Sequence, residues 1–294
     1  MNFQQLETFR WVVALGSFTK AAKKLNTTQS TISMRIAELE KELGVQVLDR
    51  SGRRVRLTRS GAELLGYATE IHTKVTEIKA IVANPETITG SIKMSVAELI
   101  ALSWLPDLVA GLARIFPNID IELEVGLAGT ILDRVISGEA DVGLVPQVGQ
   151  FGSELEATFL GSVDFAFMAS PKLDLPERQL SPKELADWPL ISLGPNAVLS
   201  QVENHWFQRG GARHGKQDRS NSMEISAGLV RSGLGVSFLP IFYYEQDIAA
   251  GRMRLIDVKP PPPQIPFFCV HTTANYSPII RKVVEIATEL DGFG

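Results

Sequence analysis

Apolar positions recur at helical spacing from the first residues. Phe3, Leu6, Phe9 and Val13 form one stripe, widened by Trp11 and Val12 and ended by Gly16–Ser17. A short second helix over "TKAAKKLN" takes Thr19 as its N-cap, with Ala21 and Ala22 small enough for close packing and Leu25 as its anchor. Asn26 and Thr27 make a tight turn. In the third helix Ile32, Ile36, Leu39 and Leu43 share a narrow sector, while Ser30, Met34, Ala37 and Lys41 project opposite with Ser33 beside them. Val47–Leu48 and Val55–Leu57 read as two short strands about a turn at Ser51–Gly52. From Thr58 to about Ala83 a long helix spaces Leu57, Gly61, Leu64, Ala68, Ile71, Val75, Ile78 and Val82 by four and three, an a/d seam that needs a partner helix. Ser60 with Glu63 fits a capping box there, with Thr58 as the alternative cap; His72, beside the seam, is read as a surface residue.

After the polar stretch "NPETITG" (84–90) the period changes. Strand and helix patterns alternate through "SIKMSV", "LIALSWLPDLVAGLARIF", "IDIELEV", "TILDRVIS" and "ADVGLVP", a βαβ series that implies a parallel sheet. Pro106 must start, kink or interrupt its helix. Beyond lie strands at "LEATFLGSVDFAFMAS", "LISL", "GVSFLP", "RMRLIDV" and "PFFCVHT", and helices at "SPKELADW", near 198–209, near 223–232 and after Ser277–Pro278.

Charge sharpens the division. The net charge is −4, yet residues 1–83 carry 13 Lys and Arg against 8 Asp and Glu. A basic head on an acidic body points to a polyanion partner for the head. The short, nearly uncharged outer face of the third helix allows close approach to another surface, so helix two, turn and helix three form a helix-turn-helix whose second helix enters the DNA major groove. Thr28 caps it and, with Ser30, lies where N–H groups suit a phosphate; Gln29 and Ser33 are hydrogen-bonding candidates for base edges, and Met34 suits thymine methyls. Arg35 lies on the flank, towards phosphate. Arg50, Arg53, Arg54, Arg56 and Arg59 crowd the hairpin, which reads as a wing. One cysteine, Cys269, excludes an internal disulfide, and the apolar run around it marks a buried strand. No run of about 18 apolar residues and no secretory pattern occur, so a cytoplasmic protein is expected.

With these residues in view, the chain resembles the LysR-type transcriptional regulators. The likeness is dense over 3–65, where Ala21–Ala22, Leu25, Gln29, Ser33, Ile36, Leu39–Glu40, Leu43–Gly44, Arg50, Leu57–Thr58 and Gly61 match the family's pattern. Many members have Arg directly after the residue matching Ser33; here Met34 stands there and Arg35 follows. The resemblance implies a winged helix-turn-helix over 1–60, a linker and dimerisation helix over 58–83, a hinge at 84–90 and an effector-binding domain over 91–294. That domain would hold two Rossmann-like α/β subdomains of the type 2 periplasmic-binding-protein fold, lobe I at 91–161 and 267–294 and lobe II at 162–266. Dimerisation would use Leu64, Ala68, Ile71, Val75, Ile78 and Val82. The expected partners are double-stranded DNA bearing an interrupted dyad, an effector of unknown identity, and copies of the chain as a dimer or a tetramer of two dimers, with RNA polymerase a further candidate.

Pockets in such sheets form where strands end and helices begin. Candidate effector contacts are therefore Ala97, Glu98, Thr130, Pro146, Gln147, Ser192, Gly194, Asn196 and Ser222, of which Thr130 matches a frequent ligand-contacting position in the family. None of these loops offers an Arg for a carboxylate, and Glu98 is acidic. Arg231 is read as a solvated helix residue. The alternative is a cytoplasmic small-molecule-binding protein or enzyme with an accessory nucleic-acid-binding head. Against catalysis, there is no G-x-S-x-G, His72, His205, His214 and His271 lack metal-ligand spacing, and Gly233 and Gly235 stand at a helix end, the reverse of a dinucleotide loop. No metal or cofactor is expected.

Overall fold

The computed structural model describes residues 1–49, 55–82, 88–195, 197–213, 215, 217–275, 277–290 and 293, with backbone alone at 73 and 76–82. The predicted turn at Ser51–Gly52 and the candidates Arg50, Arg53, Arg54 and Asn196 lie outside them, as do the side chains of Ile78 and Val82.

The head is built from α1 (Phe3–Leu15), α2 (Phe18–Lys24), α3 (Gln29–Leu43), a two-stranded hairpin β1 (Leu48–Asp49) and β2 (Arg56–Leu57), and the long α4 (Arg59–Val82). Ser17, not Thr19, caps α2, because its extended backbone lets its hydroxyl accept from the Lys20 N–H two residues before the expected start. Asn26 makes the turn into α3 in the left-handed region (φ 48°), a conformation its short polar side chain tolerates. Ile32, Ile36 and Leu39 of α3 are fully buried against Phe9 and Val12 of α1. Leu43 departs from the expected sector and is exposed, since the last turn of α3 outruns the core beneath it before Gly44 ends the helix in the left-handed region (φ 70°). Glu40 Oε1 accepts from the N–H groups of Val47 and Leu48 at 3.0 and 3.2 Å, tying α3 to the hairpin.

Thr58 caps α4, its hydroxyl accepting from the Gly61 N–H at 3.0 Å. Gly61 itself is a close approach: a Cβ there would stand 2.0 Å from the Val47 carbonyl oxygen. Ala68 is fully buried and Leu64 packs beside it in the same head core. The N-terminal half of the expected dimer seam is thus spent within one chain. Tyr67 and Ile71, 67% and 39% exposed, form the outward face instead.

In the body, β3 (Gly90–Val96) is followed by α5 (Glu98–Leu102) and α6 (Leu105–Ile115). Pro106 sits in the first turn of α6, where its missing N–H costs nothing. β4 (Ile119–Val125), α7 (Ala128–Ser137), β5 (Val142–Pro146) and β6 (Leu155–Val163) complete the outward pass. Then come β7 (Phe165–Ala169), α8 (Pro182–Leu185), β8 (Leu190–Leu193), α9 (Val198–Arg209), β9 (Gln217–Ser220), α10 (Met223–Arg231), β10 (Val236–Pro240), α11 (Glu245–Ala249), β11 (Arg254–Leu255), β12 (Ile265–Thr272) and α12 (Pro278–Glu289). Two mixed five-stranded sheets result, ordered β4-β3-β5-β12-β6 and β11-β7-β10-β8-β9. β3 pairs parallel with β4 and β5, whereas β12 runs antiparallel to β5 and β6. The first sheet keeps β6 to Val163 and takes back β12 from Ile265, so each passage between sheets lies two residues outside the expected lobe limits of 161 and 267.

The head rests on the first lobe. Arg10 of α1 is buried and donates Nη2 to the Ala274 carbonyl; burial lowers its pKa to about 10. Lys24 pairs with Asp141 at 2.7 Å, and Asp141 also accepts from the Lys93 N–H and Asn275 Nδ2 at 3.0 and 3.2 Å.

In the second lobe Ser192 is buried and donates to Glu203 Oε1 at 2.6 Å while accepting from Gln217 Nε2 at 3.0 Å. Burial pushes the Glu203 pKa up to about 8. The folded chain therefore holds a proton there that the unfolded chain releases above the ordinary carboxylate range of about 4.3. Stability should fall as pH rises from that range to about 8 and then level off. Glu203→Gln should flatten this dependence, so that its stability relative to the parent chain improves from pH 5.5 to about 8.5 in urea titrations. Gly61→Ala should destabilise the head by about 1–3 kcal/mol, read as an earlier thermal transition.

Candidate nucleic-acid interface and ligand cleft

The outward face of α3 is formed by side chains that its packing leaves over. Gln29 and Ser30 are exposed, Ser33 is half-buried and Met34 is 54% exposed. The Thr28 hydroxyl accepts from the Thr31 N–H at 3.2 Å and lies 2.8 Å from the Ser30 hydroxyl. Thr19 donates to Gln29 Oε1 at 3.1 Å, so α2 steadies the first residue of the face. No acid lies in the first turn of α3, which leaves the positive end of the helix dipole unneutralised. Arg35 is half-buried, with Nη1 3.4 Å from the Thr8 hydroxyl, and so turns back towards α1. Arg56 is exposed on β2.

Between the two sheets of the body lies a cleft of about 380 Å³. Ala97, Glu98, Pro146 and Ser222 of the expected set line it. Thr130 is exposed in the first turn of α7 and is not among the lining residues, while Gln147 is half-buried and gives its N–H to the Pro266 carbonyl. Gly194 follows β8, beside Leu127. Ser192 is buried under the second sheet, engaged with Glu203 rather than with the cleft.

Most of the wall is apolar: Leu193 and Met223, from loops expected at strand ends, face the space with Val125, Leu127, Val198 and Phe267, which sequence did not single out. Leu127 and a further lining residue, Ala197, carried a signal. α7 begins after Leu127 and α9 after Ala197, neither with a side-chain cap, at positions where Ser, Thr, Asp or Asn is usual.

Glu98 bridges the lobes. From α5 in the first lobe it accepts at Oε1 from the Ser222 hydroxyl (2.6 Å) and the Glu224 N–H (3.4 Å), and at Oε2 from the Met223 N–H. It thereby neutralises the N-terminus of α10 in the second lobe. At the other end of α10, Arg231 is not solvated but engaged: it pairs with Glu224 and, at 3.5 Å, with Asp247, and stands 5.8 Å from the Tyr244 ring. Tyr244 donates to Glu224 at 3.1 Å, and burial beside that carboxylate raises its hydroxyl pKa.

Among the described residues no helix is long and apolar enough to cross a membrane. The description "Bacterial regulatory helix-turn-helix protein, lysR family" matches residues 3–62, and "LysR substrate binding domain" matches 85–291. The HTH-type transcriptional regulator SoxR of Arthrobacter sp. is 26% identical over 293 residues, covering 97% of this chain and 96% of that protein. Full-length LysG from Corynebacterium glutamicum, solved with bound effector Arg, has a TM-score of 0.64 at 20% identity, over 98% of this chain and 97% of that one. Vibrio fischeri DarR in complex with DNA has a TM-score of 0.56 at 18% identity, over 99% of both chains. With its reading head and its two-sheet body each matched in this way, the chain belongs to the LysR family of bacterial DNA-binding transcriptional regulators.

Proposed function

We propose that this regulator reads an interrupted dyad in cytoplasmic double-stranded DNA with two copies of α3, and that a small molecule in the interlobe cleft sets how the heads are presented. The observation that carries the DNA half is the exposed face of Gln29, Ser30, Ser33 and Met34 on a helix whose N-terminus bears no acid. Gln29 and Ser33 would bond base edges, Met34 would meet thymine methyls, and Thr28 and Ser30 would hold phosphate beside the helix N-terminus. Arg56 and the hairpin arginines Arg50, Arg53 and Arg54 would add backbone contacts. Arg35, turned towards Thr8, would act by steadying α3.

Dimerisation is assigned to α4, now through Tyr67 and Ile71, continuing to Val75, Ile78 and Val82, because Leu64 and Ala68 are occupied in the head. A tetramer of two dimers and contact with RNA polymerase would extend the same assembly. In the body, Ala97, Glu98, Pro146 and Ser222 would face the effector, and the bridge of Glu98 to α10 gives the ligand an interlobe contact to change. An effector shifts the lobes only by binding one arrangement better, and such coupling amounts to about 1–3 kcal/mol.

Selection of genomic fragments by the full-length protein should recover a common interrupted dyad, with affinity falling steeply as salt rises. Met34→Arg should change the preferred half-site; selection of an unchanged sequence would remove Met34 from the reading set. Tyr67→Asp with Ile71→Asp should abolish dimers in analytical ultracentrifugation and operator binding in gel shifts. Retention of both would refute the assignment to α4.

A further inference from the structure

We propose that the interlobe cleft takes a small apolar molecule carrying a protonated amine, with Glu98 as the group that receives the ammonium. This rests on reading the cleft as the effector site. The chemistry of the wall carries it. Leu127, Leu193, Val198, Met223 and Phe267 present hydrocarbon, thioether and ring surface, which suits an apolar body. Among the described lining residues there is no Lys, Arg or His, and the single charged side chain is Glu98. A ligand entering this space gives up water, so a charge it carries must find an opposite charge inside.

An anion has little to gain at the end of α10. Glu98 already accepts from the Ser222 hydroxyl and the Met223 and Glu224 N–H groups, the Ile225 N–H bonds the Ser222 hydroxyl, and the Ser222 N–H bonds the Ser220 hydroxyl. Every N–H of that first turn is taken. A carboxylate offers about four lone-pair positions, of which Glu98 uses three on α10. One acceptor position therefore remains for a donor from the cleft, and an ammonium supplies up to three N–H bonds about a single charge. The first-turn N–H groups of α7 and α9, with no side-chain cap at Leu127 or Ala197, favour an anion instead, which makes a carboxylate the sharpest competitor to test.

The amine also has a lever. Glu98 belongs to the first lobe and its three partners to the second, so an ammonium that shares the carboxylate weakens a direct interlobe contact. Binding and lobe arrangement are coupled through one side chain.

Three probes that differ only in their head group separate the readings: phenethylamine, phenylacetate and 2-phenylethanol, titrated calorimetrically into the full-length protein. Phenethylamine should bind most tightly. Glu98→Gln, which keeps the size and loses the charge, should weaken it by about tenfold or more beyond any change in 2-phenylethanol, the neutral probe that reports the altered lobe contact. Val198→Trp, which fills the cleft and spares Glu98, should abolish all binding, with a cooperative thermal melt required of both variants as the check that they fold. Phenylacetate binding as tightly as phenethylamine, and lost in Val198→Trp, would overturn the amine class and keep the cleft. Binding indifferent to Val198→Trp would place the ligand elsewhere and overturn both. Failure of all three probes would overturn the proposal and leave the operator selection, which does not depend on it, to judge the regulator reading.

Discussion

The antiparallel ladder between β6 and β12 is the constraint on which the body depends. The chain leaves the first lobe at the end of β6 and returns through β12, and the two strands stay paired from Val163 with Ile265 to Leu155 with Thr272. Only Asp164 separates β6 from β7. Its carboxylate accepts from Gln264 Nε2 at 3.0 Å and its carbonyl from the Ile241 N–H at 2.9 Å, so both passages are fastened at one point. Rotation of one lobe against the other about this edge breaks neither sheet, which is the geometry of a hinge closing on a ligand. Glu98 closes the opposite side, where its hydrogen bonds and nothing covalent hold the lobes.

The head follows a comparable economy. Gly61 lets α4 pass against the Val47 carbonyl, and Ala68 then buries within the head, so the first turns of the linker are part of the DNA-binding unit. A displacement of α4 cannot be absorbed at the junction, because packed groups there leave no room for slippage.

Much of this was legible in sequence because it depends on periodicity. The stripes of α1 and α3, the interruption at Pro106 and the alternation of strands and helices placed the elements and the two-part organisation. Spacing failed where one position could serve two partners. Ala68 belongs to an a/d seam by period, yet nothing in the period says whether the seam faces another chain or its own head. The cleft was half legible. Its polar residues stand at strand ends as expected, but Ser192 was drawn inward by Glu203, a partner eleven residues on that only the packing of α9 brings near. The apolar wall carried a fainter sign, the missing caps at Leu127 and Ala197. Arg10 meets the Ala274 carbonyl, and Lys24 meets Asp141, only because the head settles on the body, a relation between separate patterns that neither contains.

Asp141 gives that settling an electrostatic identity. A carboxylate half hidden beside Lys24 does to the head what a phosphate would do, and the lysine can serve one of them at a time. Each cation committed to a phosphate releases condensed counterions, and one held by an internal carboxylate releases none. While that pair holds, the Lys24 charge is balanced within the chain and adds nothing to the pull of the head on a polyanion.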